Sequence, residues 1–312
     1  MTLNKFSVVF PGQGSQSPGM LADYFQNIPT FRDTFDEFSD FLELDLVKLI
    51  SEGTKEELSQ TEITQPLMLI SDLAIWNLLR TSQKDLVCLA GHSLGEYAAL
   101  VAAEVLSTKD AIKLVKKRAY LMQNAVPEGK GGIAAIIGLK KKSVINICKD
   151  ISKNPNSLVN AANYNSETQI VISGTKKGVK KAIEFCKSAG AKRAVPLPMS
   201  VPAHSKLMLN ASIEFSDYIQ SIEFLYPKIP IIQNVDAKIE KDPDKIREKL
   251  IQQIHSPVKW LDSIYEMKEI GVNTIIECGP GKVLSGLIKR ISSNIDSINT
   301  DNFENLATIN NE

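Results

Sequence analysis

The sequence predicts an α/β fold in which a parallel sheet is interrupted by an inserted β-α-β-β-α-β subdomain. Two observations lead to this prediction. Short apolar strands are followed by glycine-containing turns and then by helices, which is the order of a parallel α/β sheet. Between residues 128 and 198 the order changes to strand, helix, two strands, helix and strand, which is typical of a ferredoxin-like unit.

The first elements belong to the parallel sheet. Phe6–Phe10 is predicted to be a buried strand that ends in a Gly/Pro loop over residues 11–19. Leu86–Ala90 is a second apolar strand, and it leads through a tight turn into an apolar helix that ends near Val105. A longer helix is predicted over Thr108–Ala125.

The insert begins at the Gly/Pro-rich linker Pro127–Gly132. Its predicted elements are the strands Ile133–Leu139, Ser157–Tyr164, Thr168–Ser173 and Arg193–Leu197, and the helices Lys140–Ile151 and Lys176–Ala189. We therefore expect one ferredoxin-like subdomain, residues 128–198, within a core domain formed by residues 1–127 and 199–312.

After the insert the chain returns to alternating elements. We predict strands over Ile229–Asn234 and Thr274–Glu277 and helices over Ser205–Ile222, Asp244–Ile254, Val258–Ile270 and the segment from the Gly279-Pro280-Gly281 turn to Arg290. The polar tail, Thr300–Glu312, is expected to be frayed.

The charge of the chain is balanced overall but not locally. The 36 basic and 36 acidic residues give a net charge of zero, which argues against a nucleic-acid-binding protein. Residues 108–193, however, contain 18 basic and 5 acidic residues, and the remainder contains 18 and 31. This asymmetry predicts either a basic face for an acidic partner or an ordinary solvated surface rich in lysine.

Cysteine usage and hydropathy indicate the cellular compartment of the protein. None of the four cysteines forms a CxxC pair, which is typical of buried thiols in a reducing compartment. The N-terminal apolar stretch is too short for a signal peptide, and no apolar run reaches the ~18 residues of a membrane span. These absences favour a cytoplasmic protein without membrane contact.

The segment Gly91–Gly95, GHSLG, matches the nucleophile motif G-x-S-x-G. A strand precedes it and a helix follows it, which is the structural context that the motif requires. Ser93 is therefore a candidate nucleophile, and the Leu94 N–H at the helix N-terminus is a candidate oxyanion donor. The alternative is a glycine-bounded helix start with a serine near its cap.

A nucleophilic serine needs a general base, and the chain has three histidines. His92 adjoins Ser93 within the turn, so its ring should project away from the hydroxyl. His255 lies at a predicted helix end, where capping is the plain interpretation. His204 lies in a proline-containing loop that enters a helix, and elimination favours it as the base.

Arg118 is unusual because it lies on the apolar side of its helix. At about 100° per residue it falls in the arc that holds Ala111, Val115 and Met122, opposite the lysines of the same helix. A buried guanidinium requires a partner, and its planar fork suits a carboxylate. A ligand carboxylate and a protein Asp or Glu are equally compatible with this position.

The N-terminal loop, Pro11–Gly19, does not match a nucleotide-binding pattern. A serine stands at position 17 where G-x-G-x-x-G needs glycine, and Met20-Leu21 replaces the Lys-Ser/Thr of a P-loop. The loop could instead supply a second oxyanion donor, the Gln13 backbone N–H. A plain strand-to-helix turn is the alternative.

Several stretches together resemble the malonyl-CoA:acyl carrier protein transacylases of fatty acid synthesis. They are FPGQGSQ (10–16), GHSLGEYAAL (91–100), KRAYLMQ (117–123), NYNS (163–166), VPAHS (201–205), the region of Gln253 and GPGKVL (279–284). The resemblance extends from about Phe6 to Arg290. It implies an α/β-hydrolase-like core with a ferredoxin-like insert, in agreement with the strand order.

The resemblance also implies roles for individual residues. Ser93 would be the acylated nucleophile and His204 its base, with Gln253 orienting His204 through a carbonyl. Gln13 and Leu94 would form the oxyanion hole, and Arg118 would bind the malonyl carboxylate. Asn163 and Asn165 are further candidates for lining the site. Ala203 stands where the family often has serine, a difference we expect to be neutral.

The implied reaction is a two-step transfer from malonyl-CoA to the phosphopantetheine thiol of an acyl carrier protein, without metal or redox cofactor. The carrier is typically acidic, so the basic residues of 108–193 would be its docking face. A serine hydrolase or thioesterase is the alternative enzyme, although Arg118 would then have no purpose in the acyl pocket. A carrier-docking module without activity is a third alternative, but it would not need Ser93, His204 and Arg118.

Overall fold

The computed structural model describes residues 5–80, 84–199 and 201–311. Contacts divide the chain into two compact units. The parallel-sheet unit contains residues 1–116, 225–232 and 266–312, and the antiparallel-sheet unit contains residues 117–224 and 233–265.

The described residues form the following elements in chain order: β1 (Phe6–Phe10), α1 (Ala22–Asn27), α2 (Phe31–Leu42), α3 (Leu46–Glu52), α4 (Lys55–Leu58), α5 (Thr61–Trp76), β2 (Leu86–Gly91), α6 (Gly95–Ala102), α7 (Thr108–Asn124), β3 (Gly131–Ile137), α8 (Lys141–Ile151), β4 (Val159–Ser166), β5 (Gln169–Thr175), α9 (Lys176–Ser188), β6 (Arg193–Pro196), α10 (Leu209–Ile219), β7 (Ile231–Ile232), β8 (Ile239–Glu240), α11 (Pro243–Gln253), α12 (Trp260–Glu269), β9 (Thr274–Glu277), α13 (Val283–Ile291), β10 (Asp296–Asn299) and α14 (Phe303–Asn310). Short 3₁₀ turns lie at Pro155–Ser157 and Lys206–Met208.

The sheet of the parallel-sheet unit has the strand order β10-β9-β1-β2-β7, and each neighbouring pair is parallel. The central strand β1 is buried at all five positions, as its apolar sequence predicts. Helices α5 and α6 pack against each other, and α6 also packs on β1 and β2. The predicted parallel α/β sheet is therefore confirmed, and its central strands end beside the Gly91–Gly95 turn.

The sheet of the antiparallel-sheet unit has the strand order β4-β5-β3-β6, and every pair is antiparallel. Helices α8 and α9 pack together on this sheet through buried residues that include Val144, Cys148, Val179 and Cys186. The strand order and the two helices confirm the predicted ferredoxin-like arrangement. The predicted insert, residues 128–198, lies within this unit, and its boundaries as a separate domain stay a prediction.

The C-terminal tail differs from the prediction. Phe303–Asn310 forms α14, which buries Leu306 and Ile309, instead of fraying. The Tyr24 hydroxyl donates to the Thr300 carbonyl at 2.7 Å, and the Tyr24 ring lies edge-on to Phe303. The tail is mostly polar, so its few apolar residues did not predict a packed helix. Those residues hold α14 against α1.

The described residues include no helix that is long and apolar enough to cross a membrane. All four cysteines are free and buried, as predicted from the absence of a CxxC pair. Burial raises the pKa of the Cys88 thiol to about 11, although the Ser7 hydroxyl lies within hydrogen-bond distance of it. Cys88 is therefore a protonated core residue and not a reactive thiolate.

Candidate active site

The parallel-sheet unit holds Ser93 in the sharp turn between β2 and α6. Ser93 adopts a left-handed backbone conformation with φ of 54°, which is uncommon for a residue with a side chain. The turn closes with Gly95 N–H donating to the His92 carbonyl and Glu96 N–H donating to the Ser93 carbonyl. Ser93 thus lies directly before the N-terminus of α6, where backbone N–H groups and the helix dipole favour negative charge.

The two glycines of the motif are required by contacts with the backbone. A Cβ atom on Gly91 would overlap the backbone of Gly95, and one on Gly95 would overlap the carbonyl of Phe10. Side chains at either position would therefore force the strand and the helix apart. The G-x-S-x-G pattern is therefore a steric requirement of this turn.

The loop after β1 passes beside the same turn. A Cβ atom on Gly12 would overlap the His92 carbonyl and would lie 3.6 Å from the Leu94 backbone nitrogen. The chain at Gly12 is therefore in contact with the segment that carries the Leu94 N–H. Gln13, the next residue, is partly buried, and its side-chain amide lies 3.5 Å from the Ser59 carbonyl. The two candidate oxyanion donors accordingly belong to adjacent segments of one unit.

The antiparallel-sheet unit holds His204, which is 4% exposed and has a φ of 59°. Its backbone N–H donates to the Ile254 carbonyl at 3.1 Å, and its Nδ1 lies 2.7 Å from the Gln253 carbonyl. The last carbonyls of a helix have no partner within the helix. The end of α11 therefore supplies two acceptors that fix both the backbone and the ring of His204.

The Gln253 carbonyl determines which nitrogen of the His204 ring carries the proton. A carbonyl oxygen only accepts, so Nδ1 must be the protonated nitrogen at a distance of 2.7 Å. In the neutral ring, Nε2 then has a lone pair and can accept a proton. Gln253 therefore provides through its backbone the orientation that an acidic side chain commonly gives to a catalytic histidine.

Arg118 is 1% exposed, as its position on the apolar arc of α7 predicted. Its terminal amino group Nη2 donates to the side-chain carbonyl Oε1 of Gln253 at 2.9 Å. The neighbouring lysines Lys113 and Lys116 are exposed. A charge-bearing side chain is thus held inside the unit beside the residue that also fixes His204.

Other residues considered at the sequence level occupy less informative positions. Asn163 and Asn165 lie on β4 and are 7% and 8% exposed, so both are buried. His255 follows the end of α11 and is half-buried, and burial lowers the pKa of its ring. His92 lies within the turn that carries Ser93.

A comparison with family models matches residues 7–302 to the acyl transferase domain. The chain belongs to the acyl transferase domain family. A malonyl CoA-acyl carrier protein transacylase of Haemophilus influenzae is 45% identical over 301 residues, which cover 96% of each chain. The family assignment predicted from the combined motifs is therefore confirmed.

Solved structures of the family have the same fold. An acyl carrier protein S-malonyltransferase from Vibrio cholerae is 46% identical and has a TM-score of 0.92, over 98% of this chain and 100% of the other. A malonyl-transacylase solved in complex with a type II PKS acyl-carrier protein is 43% identical and has a TM-score of 0.94, over 99% of both chains.

The residues predicted from sequence fall into two groups, one in each unit. Ser93, Leu94 and Gln13 lie in adjacent segments of the parallel-sheet unit. His204, Gln253 and Arg118 are joined by hydrogen bonds in the antiparallel-sheet unit. The contact between the Gln253 side chain and Arg118 was not predicted, because no local pattern relates residues 135 positions apart.

Proposed function

We propose that this chain transfers the malonyl group of malonyl-CoA to the phosphopantetheine thiol of an acyl carrier protein and so supplies extender units for fatty acid synthesis. The observation that carries the proposal is the pairing of His204 and Arg118 on a single residue, Gln253. A general base and a buried cation that are both held by one residue suit an acyl donor with a free carboxylate. The names of the relatives agree with this substrate.

In the first half-reaction, the Ser93 hydroxyl attacks the thioester carbonyl while His204 Nε2 accepts its proton. The new C–O bond produces a tetrahedral intermediate, and its oxyanion accepts hydrogen bonds from the Gln13 and Leu94 N–H groups. When the intermediate collapses, the C–S bond breaks, and His204 returns the proton to the CoA thiolate. The product is malonyl-Ser93 and free CoA.

In the second half-reaction, the carrier's thiol takes the place of CoA. His204 accepts the thiol proton as the sulfur attacks the ester carbonyl of malonyl-Ser93. Collapse breaks the C–O bond and returns the proton to Ser93. Throughout both steps Arg118 binds the malonyl carboxylate, which holds the acyl group in one orientation.

The proposal is tested by mixing the protein with malonyl-CoA and acetyl-CoA separately and measuring its intact mass. We expect a malonyl adduct that accumulates without carrier protein and disappears when carrier is added. Acetyl-CoA should load at least ~10-fold more slowly, because it offers Arg118 no carboxylate. Equal loading from both thioesters, or an adduct that only water removes, would contradict the proposal and favour a hydrolase.

We further propose that the acidic carrier docks on the basic residues of 108–193. Within the antiparallel-sheet unit, a cleft at the start of α9 is bordered by Lys130, Lys176, Lys177 and Lys180, all exposed. An apolar groove lined by residues such as Ile133, Val179 and Leu197 adjoins it and shares Lys176 and Lys180. Apolar surface rimmed by lysines suits an acidic, amphipathic protein helix.

Reversing two of these charges tests the docking face. Lys176→Glu/Lys177→Glu should slow transfer from malonyl-Ser93 to carrier by about tenfold at low ionic strength, and the defect should shrink as salt screens the charges. Loading from malonyl-CoA should change little. Lys48→Glu/Lys289→Glu, which reverses the same number of exposed lysines outside residues 108–193, is the matched control. An equal fall in both half-reactions would refute this docking face.

A cytoplasmic location is proposed from the chemistry of the cysteines. The four thiols are free and buried, and none is paired in a disulfide. Unpaired buried thiols are typical of proteins in reducing compartments. Recovery of the active protein from the cytosolic fraction of its cells would test the assignment.

A further inference from the structure

Gln253 uses two oxygen atoms for two different partners. Its backbone oxygen lies 2.7 Å from His204 Nδ1, and its side-chain oxygen accepts a hydrogen bond from Arg118 Nη2 at 2.9 Å. Gln253 and Arg118 are 0% and 1% exposed, so water does not compete for the second contact. One residue at the end of α11 therefore fixes the orientation of both the base and the guanidinium.

The chemistry of the side-chain contact matters because an amide is neutral. A guanidinium has five N–H donors in a rigid fork, and one hydrogen bond to an amide oxygen restricts that fork without neutralising its charge. A carboxylate in the same place would both restrict the fork and neutralise it. The amide thus holds the guanidinium of Arg118 without adding a negative charge beside it.

We infer that Gln253 is a positioning residue whose side chain sets acyl selectivity: through a neutral amide it orients the Arg118 guanidinium toward the acyl carboxylate. This inference rests on the proposed function and assigns to the side chain a role separate from that of the backbone carbonyl. Because both contacts come from one residue, the position of the carboxylate-binding group is tied to the position of the base. Selection of the acyl group and activation of Ser93 then depend on the same helix end.

Gln253→Glu is the decisive variant, because it keeps the size of the side chain and the backbone carbonyl that holds His204. The new carboxylate would pair with Arg118 and imitate the carboxylate of a malonyl group. We expect the ratio of malonyl to acetyl loading, measured as kcat/KM for each thioester, to fall about 10²-fold. The loss should arise mainly from a higher KM for malonyl-CoA, since the internal carboxylate competes with the substrate.

Gln253→Met provides a second test that introduces no charge. It keeps a side chain of similar length but removes the amide oxygen that accepts the hydrogen bond. Residue 253 would then no longer orient the Arg118 guanidinium. We expect the malonyl-to-acetyl ratio to fall about tenfold, which corresponds to one hydrogen bond to a charged group. The unfolding temperature of each variant, compared with that of the parent, reports whether the protein is folded.

The outcomes separate this inference from the proposed function. If Gln253→Glu and Gln253→Met both keep the parent ratio, or lose malonyl and acetyl loading equally, the side chain has no role in selectivity and the inference is wrong. The proposed function would survive that result if Arg118→Ala still abolished selectivity. A parent protein that does not load malonyl-CoA would overturn both.

Discussion

Ser93→Ala is expected to abolish the malonyl adduct formed from malonyl-CoA and to reduce transfer to carrier protein by at least ~10⁴-fold, because the reaction loses its covalent intermediate. Residual transfer would come only from binding and from the oxyanion donors. Intact mass measures the adduct, and a carrier-acylation assay measures the overall rate. We expect no compensation by another residue, since Ser93 alone is presented by the turn at the N-terminus of α6.

The variant should fold normally, which makes its chemical defect interpretable. Alanine has a Cβ atom as serine does, so the backbone at φ of 54° is no more strained after the change. The temperature of unfolding should therefore stay close to that of the parent. Ser143→Ala, at an exposed serine of α8, is the control and should keep the full adduct. A malonyl adduct that persists in Ser93→Ala would assign the nucleophile elsewhere.

Arg118→Ala is expected to remove the preference for malonyl-CoA over acetyl-CoA. Truncating one partner of a buried, hydrogen-bonded charge pair costs about 2–5 kcal/mol, so malonyl loading should fall about 10²–10³-fold. Acetyl loading should fall far less, because the acetyl group makes no ionic contact. The measurement is kcat/KM for loading from each thioester.

The control for Arg118→Ala truncates another long basic side chain, on the exposed face of the same helix. Lys113 is exposed and pairs with Asp110 at 2.9 Å, so Lys113→Ala should leave both loading rates near the parent values. Arg118→Ala also leaves a cavity beside Gln253, and some loss of stability is expected. The ratio of kcat/KM for malonyl-CoA to kcat/KM for acetyl-CoA corrects for that loss. A variant that kept full malonyl preference would show that Arg118 has only a structural role.

Sequence patterns correctly predicted those elements whose structure depends on residues close together in the chain. The strand Thr274–Glu277 is confirmed at both ends, and the helix predicted over Lys176–Ala189 ends one residue earlier. The Gly91–Gly95 turn was predictable because two side chains would collide with the backbone there. The burial of Arg118 was predictable because helical periodicity places it among apolar residues.

Other elements depend on contacts that a local pattern does not contain. No element is predicted between Met20 and Asp85, where α1–α5 form, although α2 has a readable pattern. Its buried residues Phe31, Phe35, Phe38 and Leu42 recur at helical spacing. The strand predicted over Ile229–Asn234 shortens to Ile231–Ile232 in the sheet. The tail forms α14 because it packs against Tyr24, which lies almost 280 residues earlier and whose hydroxyl donates a hydrogen bond to the Asn302 carbonyl.

The sequence by itself determined the α/β class, the ferredoxin-like order of the insert, the turn that presents Ser93 and the apolar position of Arg118. Each of these follows from sterics or periodicity within a few residues. The family resemblance already implied that the Gln253 carbonyl orients His204. Only the tertiary structure decided the strand order β10-β9-β1-β2-β7 and the contact between the Gln253 side chain and Arg118. That contact joins residues 135 positions apart, and packing of whole elements, not local preference, brings such residues within hydrogen-bond distance.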